Sequence, residues 1–170
     1  MNDINITSDD RIALRSATVD DAGLILKFIR QLAEYEKMTD EVVTDEDQLR
    51  KSLFGERRVA EVVIASYDGE PAGFALFFHN FSTFLGRPGI YLEDLFVQPD
   101  MRGRGIGQVL LSFLAKLAVE RGCGRLEWAV LDWNVDAIRF YERLGAKPMD
   151  EWTVFRITAD ALDDLAKLSS

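Results

Sequence analysis

The sequence is short of cysteine, histidine and basic charge, and each shortage excludes something. Cys123 is the one cysteine in 170 residues, so no disulfide forms within the chain and a reducing cytoplasm is the expected setting. His79 is the one histidine. With one residue of each kind, no set of side chains has metal-ligand spacing; no metal is expected, and a Cys–His covalent route has no support. No apolar run approaches the roughly 18 residues of a membrane span. The opening MNDINITSDD lacks the basic start and apolar centre of a secretion signal. Acidic residues number 29 against 20 basic ones, a net charge of -9. Phosphate backbones repel such a chain, so neither nucleic acid nor a membrane is an expected partner. Cationic small molecules suit it better, although acidity also serves plain solubility.

What is present is the composition of a soluble globule, 48% hydrophobic and 29% charged. Length predicts one domain over residues 1–170, with residues 1–8 a loose end. Residues 11–15, RIALR, alternate as a short strand. Thr18 is the predicted N-cap of a helix whose apolar stripe runs Ala22, Ile25, Leu26, Ile29, Leu32, Ala33. One step further the stripe reaches Glu36, a carboxylate at the inward end of an apolar face. A second helix is predicted from Thr44 to Gly55. VAEVVIASY and AGFALFFHN read as strands joined by the turn DGEP, and IYLEDLFV as a third. A helix over 105–121 follows, then the strand RLEWAVL, a helix opened by Asn134 and closed by Gly145, a last strand WTVFRI and a closing helix ADALDDLAKL. This order predicts an α/β fold: a mixed, mostly antiparallel twisted sheet with helices on both faces.

Between the third strand and its helix lies VQPDMRGRGIGQVLL. A strand that runs through glycines into a helix start makes an anion site. Free N–H groups point outward, the helix dipole favours negative charge, and missing Cβ atoms admit a phosphate. A Walker loop would need Lys then Ser or Thr after its last glycine, but Gln108 and Val109 follow Gly107. A dinucleotide fingerprint would place its third glycine one residue later. What remains is Arg102-x-x-Gly105-x-Gly107, with Arg104 as a second cation.

That loop resembles the pyrophosphate loop of the GCN5-related N-acetyltransferases. The likeness runs from about Arg11 to Ile157 and narrows to the diamine (spermidine/spermine) acetyltransferases and their thialysine-acetylating relatives. LAEYEKM, YLEDLFV, RGRGIG, AVLDWN and RFYERLGA carry it, in that order. It implies acetyl-CoA as co-substrate, with Arg102, Gly103, Arg104, Gly105, Ile106, Gly107 and Gln108 at its phosphates. Leu95, Phe96 and Val97 would pair through their backbones with the pantetheine arm, while Asn134 and Ala137 would lie beside the coenzyme. Trp133 reads as the wall next to that cap. A homodimer is implied as well.

Acetyl transfer to an amine sets further demands. A lysine-like amine has a pKa of about 10.4, so only roughly four molecules in ten thousand are neutral at pH 7. A carboxylate that removes the proton, directly or through water, answers this. Glu93 and Asp94 stand in a strand otherwise free of charge, and strand alternation would send them to opposite faces. Glu93 matches the family's amine-binding carboxylate; Asp94 is open between a structural and a working acid. Tyr141, on one helix face with Ala137, Ile138 and Leu144, matches the family's general acid, the group that protonates the leaving thiolate in a ternary complex. Tyr35 and Glu36 match substrate contacts, with Glu127 and Glu151 as further carboxylates. Where polyamine enzymes carry an acid and a tryptophan, this chain has Ser82, Thr83 and Phe84, closer to the thialysine branch. Hydroxyls there suit an amino-acid head group. The expected substrate is a small primary amine, a lysine-like amino acid or a diamine. A non-catalytic coenzyme A-binding sensor and a protein acetyltransferase are the alternatives.

Overall fold

Local chemistry positions the first helix before any packing does. Asp21 accepts hydrogen bonds from the Thr18 backbone N–H at 2.7 Å and its hydroxyl at 3.1 Å. Arg15 clamps the same carboxylate through both terminal nitrogens, each at 2.7 Å. Both bonds hold Asp21 below the usual carboxylate range, against the opposing effect of its burial. Thr18 thus opens a short 3-10 turn, Val19–Asp21, from which the helix α1, Ala22–Tyr35, continues. The helix α2, Glu46–Phe54, is capped by Asp45, which accepts from the Gln48 N–H.

The computed structural model describes residues 3–4 and 7–168. Within Met1–Ala129, one of two compact units, lies a six-stranded sheet in sequence order. Its strands are β1 (Asp3–Ile4), β2 (Ile12–Ser16), β3 (Glu61–Tyr67), β4 (Glu70–Ser82), β5 (Arg87–Val97) and β6 (Leu126–Trp128). All neighbours are antiparallel except β5 and β6. The β3–β4 turn places Asp68 and Gly69 at φ 51° and 83°, the doubly left-handed geometry of a tight hairpin. One expectation is corrected at the start of the chain: Asp3 and Ile4 pair with β2 rather than belonging to a loose end. The rest of residues 1–6 lies outside the described residues.

Both sheet faces are covered. Ile25, Leu26 and Phe28 of α1 and Leu49 and Leu53 of α2 form one buried cluster with Val62, Ile64, Phe74 and Phe96, and Leu76 packs against it. Residues of the other parity, Val63, Ala65, Ala75, Phe77, Ile90 and Leu92, are buried too. The helix α3, Ile106–Glu120, packs against β3, β4 and β5 and buries Ile106, Leu110 and Leu114. No α3 residue belongs to the first cluster, so α3 covers the second face.

One irregularity governs the site. On β4, Leu76 and Phe77 are consecutive, yet their partners on β5 are Asp94 and Leu92. Glu93 is therefore an extra, unpaired residue, a β-bulge. The parallel pairing of β5 with β6 also stops at Leu92, opposite Trp128.

Val130–Ser170 forms the second compact unit. Asn134 caps the helix α4, Val135–Arg143, accepting from the Ala137 N–H at 3.3 Å, and Gly145 follows the helix end at φ 90°. The helix α5, Ala159–Lys167, closes the unit. Two further expectations are corrected here. RLEWAVL is strand only over Leu126–Trp128, where it has β5 to pair with. WTVFRI takes no strand pairing among the described residues, because alternation alone supplies no partner.

Phe28 ties α1 to the sheet, stacked on Phe74 at 5.6 Å and tilted against Phe96 at 6.0 Å. Phe28→Ala is expected to cost about 3–5 kcal/mol, read as a lowered denaturant midpoint.

Candidate active site

The glycine–arginine loop is built as an anion cradle. Gly103 and Gly105 have φ of 76° and 81°, a conformation that L side chains rarely adopt, and Gly105 is the cap of α3. From Gly103 through Gln108 no backbone N–H finds an acceptor among the described residues; the first helical donor to do so is Val109, to Gly105 O. A Cβ at Gly103 or Gly105 would meet nothing within 4 Å, and one at Gly107 only Val97 Cγ2 at 4.0 Å. The space above these amides is open, as a diphosphate requires. Arg102 donates from Nε to Val97 O at 3.0 Å and lies over the Tyr35 ring at 4.5 Å. Arg104 lies over the Tyr67 ring at 4.7 Å. Both cations stand beside the cradle without a carboxylate partner among the described residues.

The cradle continues along β5. Beyond Leu92 no strand pairs with β5 on its β6 side among the described residues, so the edge of Glu93 to Val97 away from β4 carries no strand partner there. Leu95, Phe96 and Val97 are thus placed to offer backbone groups to an extended amide-bearing arm. Phe96 also serves the core, as a cluster member.

The bulge corrects the expectation that Glu93 and Asp94 face opposite ways. Phe78 pairs with Tyr91 on the α1 face of the sheet, their rings 5.3 Å apart. Leu92, paired with Phe77, is on the α3 face, and the next residue, Glu93, returns to the α1 face. Asp94 pairs with Leu76, again on the α1 face. The inserted residue therefore puts two adjacent carboxylates on one side. Glu36 caps the C-terminal end of α1 on that side, and its charge acts on Asp94. Burial, then the charges of Glu93 and Glu36, push the Asp94 carboxyl up to about 6. Burial alone raises Glu36. Neither Glu93 nor Asp94 has a hydrogen-bond or ion-pair partner among the described residues, so this is an anionic recess suited to an ammonium group. The sequence signals for it were the apolar stripe that ends at Glu36 and a pair of charges, side by side, in a strand otherwise without any.

The remaining residues named from sequence fall as follows. Tyr35 is 39% exposed beneath Arg102. Ser82 is buried at the end of β4, its hydroxyl oxygen accepting from the Leu85 N–H at 3.3 Å, and Thr83 is exposed next to it. Glu127 on β6 accepts from Asn80 Nδ2 at 2.8 Å and pairs with Arg125 Nε at 2.8 Å. In the second unit, Ala137, Ile138 and Tyr141 share the half-buried face of α4, with the Phe140 ring 5.5 Å from that of Tyr141. Glu151 and Trp133 are exposed. Among the described residues no group of His, Cys, Asp and Glu side chains could hold a metal ion, and no helix is long and apolar enough to cross a membrane.

Comparison with known proteins places this geometry. The model of the Acetyltransferase (GNAT) family matches residues 27–146. A cattle thialysine N-epsilon-acetyltransferase is 41% identical over 166 residues, covering 91% of this chain and 97% of its own. An Arabidopsis thaliana L-ornithine N5-acetyltransferase is 35% identical, over 92% of this chain and 88% of its own. Among solved structures, a Vibrio cholerae integron cassette protein superposes with TM-score 0.76 at 26% identity, covering 92% of this chain and 98% of its own. An aminoglycoside acetyltransferase from an uncultured soil sample gives 0.74 at 18% identity, covering 91% and 100%, a likeness of fold alone.

The raised Asp94 carboxyl makes a stability prediction. Its neutral form is favoured in the folded chain, so the stability it contributes is full below about pH 4 and is lost as pH rises through about 6. Asp94→Asn removes the ionised form. It is expected to raise stability at pH 8 by up to about 3 kcal/mol and to give no gain near pH 4, measured by thermal unfolding at both pH values.

Proposed function

The chain belongs to the Acetyltransferase (GNAT) family and is an N-acetyltransferase, and we propose that its substrate is a small primary amine of the thialysine, lysine or ornithine kind. The observation that carries this reading is the recess of carboxylates at the bulge, joined to 41% identity with a thialysine-acetylating enzyme over nearly the whole chain.

Acetyl-CoA supplies the acetyl group as a thioester. Its diphosphate is assigned to the amides of Gly103 to Gln108 with Arg102 and Arg104, and its pantetheine arm to the free edge of Leu95, Phe96 and Val97. Asn134 and Ala137 at the start of α4 are assigned to the coenzyme by motif. The substrate enters as an ammonium ion, attracted to Glu36, Glu93 and Asp94, with Tyr35 alongside. Glu93 takes its first proton, through water, and the neutral nitrogen attacks the thioester carbonyl directly. A C–N bond forms as the C–S bond breaks, the second N–H proton passes to water, and Tyr141 protonates the sulfur and regains its own proton from solvent. Support for Tyr141 comes from its motif, RFYERLGA, and its place on the half-buried face of α4.

Ser82 and Thr83 are assigned to the amino-acid head group. Ser82 keeps its hydroxyl hydrogen to donate, since the contact with Leu85 uses the oxygen as acceptor. Glu127 and Glu151 are the outer carboxylates of this reading. The family match crosses the boundary between the two compact units, which supports one catalytic domain over residues 1–170. The lone Cys123 suits a cytoplasmic setting, and the apolar β4–β5 hairpin tip, with Phe84 94% exposed, offers a surface for a homodimer.

Two measurements test this. Tyr141→Phe is expected to lower turnover by about a hundredfold or more, with acetyl-CoA still bound in calorimetry; unchanged turnover would remove the proposed acid. A thiol-release screen of thialysine, lysine, ornithine, putrescine and spermidine is expected to favour the amino acids. Diamines used far better than thialysine would overturn the assignment of Ser82 and Thr83.

A further inference from the structure

Asp94 is a carboxylate without a protein partner among the described residues, and that is costly. It is half-buried, yet no hydrogen bond or ion pair reaches it among the described residues, whereas buried acids that serve structure are bonded. Asp21 in this chain shows the contrast: it holds Arg15 and Thr18 through four hydrogen bonds, two of them to both terminal nitrogens of one guanidinium.

The groups facing Asp94 make its position more demanding. From its own strand comes Glu93, sent to the same face by the bulge; from α1 comes Glu36; from β4 comes Leu76, which is uncharged. The nearby cation, Arg102, is held elsewhere, by Val97 O and the Tyr35 ring. A like-charged, partly dehydrated recess with no cation of its own among the described residues is a place left for a cation to fill. A carboxylate in such a field also holds a proton more firmly than an exposed one, the property wanted in an acceptor for an amine's proton.

We infer that Asp94 is a second working carboxylate of the amine site: it binds the substrate's ammonium together with Glu93 and keeps the proton while the neutral amine attacks. This rests on the N-acetyltransferase reading above. Glu93, at the bulge itself, receives the proton through water and passes it to Asp94. An N–H bond of the ammonium is exchanged for an O–H bond on Asp94, and the proton returns to solvent when the acetylated product leaves. Glu36, by its charge, tightens Asp94's hold on that proton.

The test uses the full chain and thiol release with the amine that the wild type uses best, followed from pH 5 to 9. The wild type is expected to lose kcat/KM as pH falls through about 6, where Asp94 becomes protonated. Asp94→Asn is expected to lose at least about tenfold in kcat and to lose that acid limb, while remaining folded by thermal unfolding. Glu36→Gln, which removes a like charge and leaves Asp94 in place, is expected to move the acid limb to lower pH. An Asp94→Asn enzyme with kcat within twofold of wild type and an unmoved limb overturns the inference, as does an unmoved limb in Glu36→Gln. Either outcome leaves the acetyltransferase reading standing. If the wild type releases no thiol with any amine, the substrate reading and this inference fall together.

Discussion

The constraint on which the rest depends is one surplus residue in β5. Glu93 has no partner on β4, and its insertion reverses the alternation of the strand from Asp94 onward. Three results follow from that reversal. Phe96 turns into the cluster beneath α1. Glu93 and Asp94 come to one face, opposite the end of α1 that carries Glu36. At the same level β6 ends its pairing, leaving the outer edge of Glu93 to Val97 without a strand partner among the described residues. Core packing, the grouping of carboxylates and the open strand edge are set by the same local event, a use that bulges commonly serve.

Energetically the site runs against the rest of the fold. Elsewhere several charges are paired: Arg15 with Asp21, Arg121 with Glu61, Arg125 with Glu127. At the bulge the chain gathers like charges, with Asp94 and Glu36 half-buried and Glu93 exposed. A raised carboxyl at Asp94 is what such crowding produces, and it lowers stability over the pH range in which an amine acceptor is needed. The stability of α1 against the sheet, through Phe28 on Phe74 and Phe96, is what allows Glu36 to be held there.

Much of this was legible in the amino-acid pattern. The apolar stripe of α1 led to Glu36, glycine spacing marked the anion cradle, and strand and helix order implied a mixed sheet covered on both faces. Local pattern was less informative where register decides. Nothing in YLEDLFV states that Leu76 and Phe77 meet Asp94 and Leu92, because that shift is settled across strands, by β4. Simple alternation therefore separated two carboxylates that the sheet brings together. WTVFRI shows the opposite error, since its strand-like composition does not by itself provide a neighbour to pair with.

Arg102 is held in place before any ligand is present. Its guanidinium is laid flat on Tyr35 and anchored by Nε to Val97 O, with the two terminal nitrogens uncommitted among the described residues. The side chain has surrendered most of its rotational freedom during folding, so little entropy remains to be lost when an anion arrives. A lysine at this place would carry the same charge, yet it would have neither the planar stack nor the anchor. Preorganisation, and not charge alone, is what the guanidinium contributes.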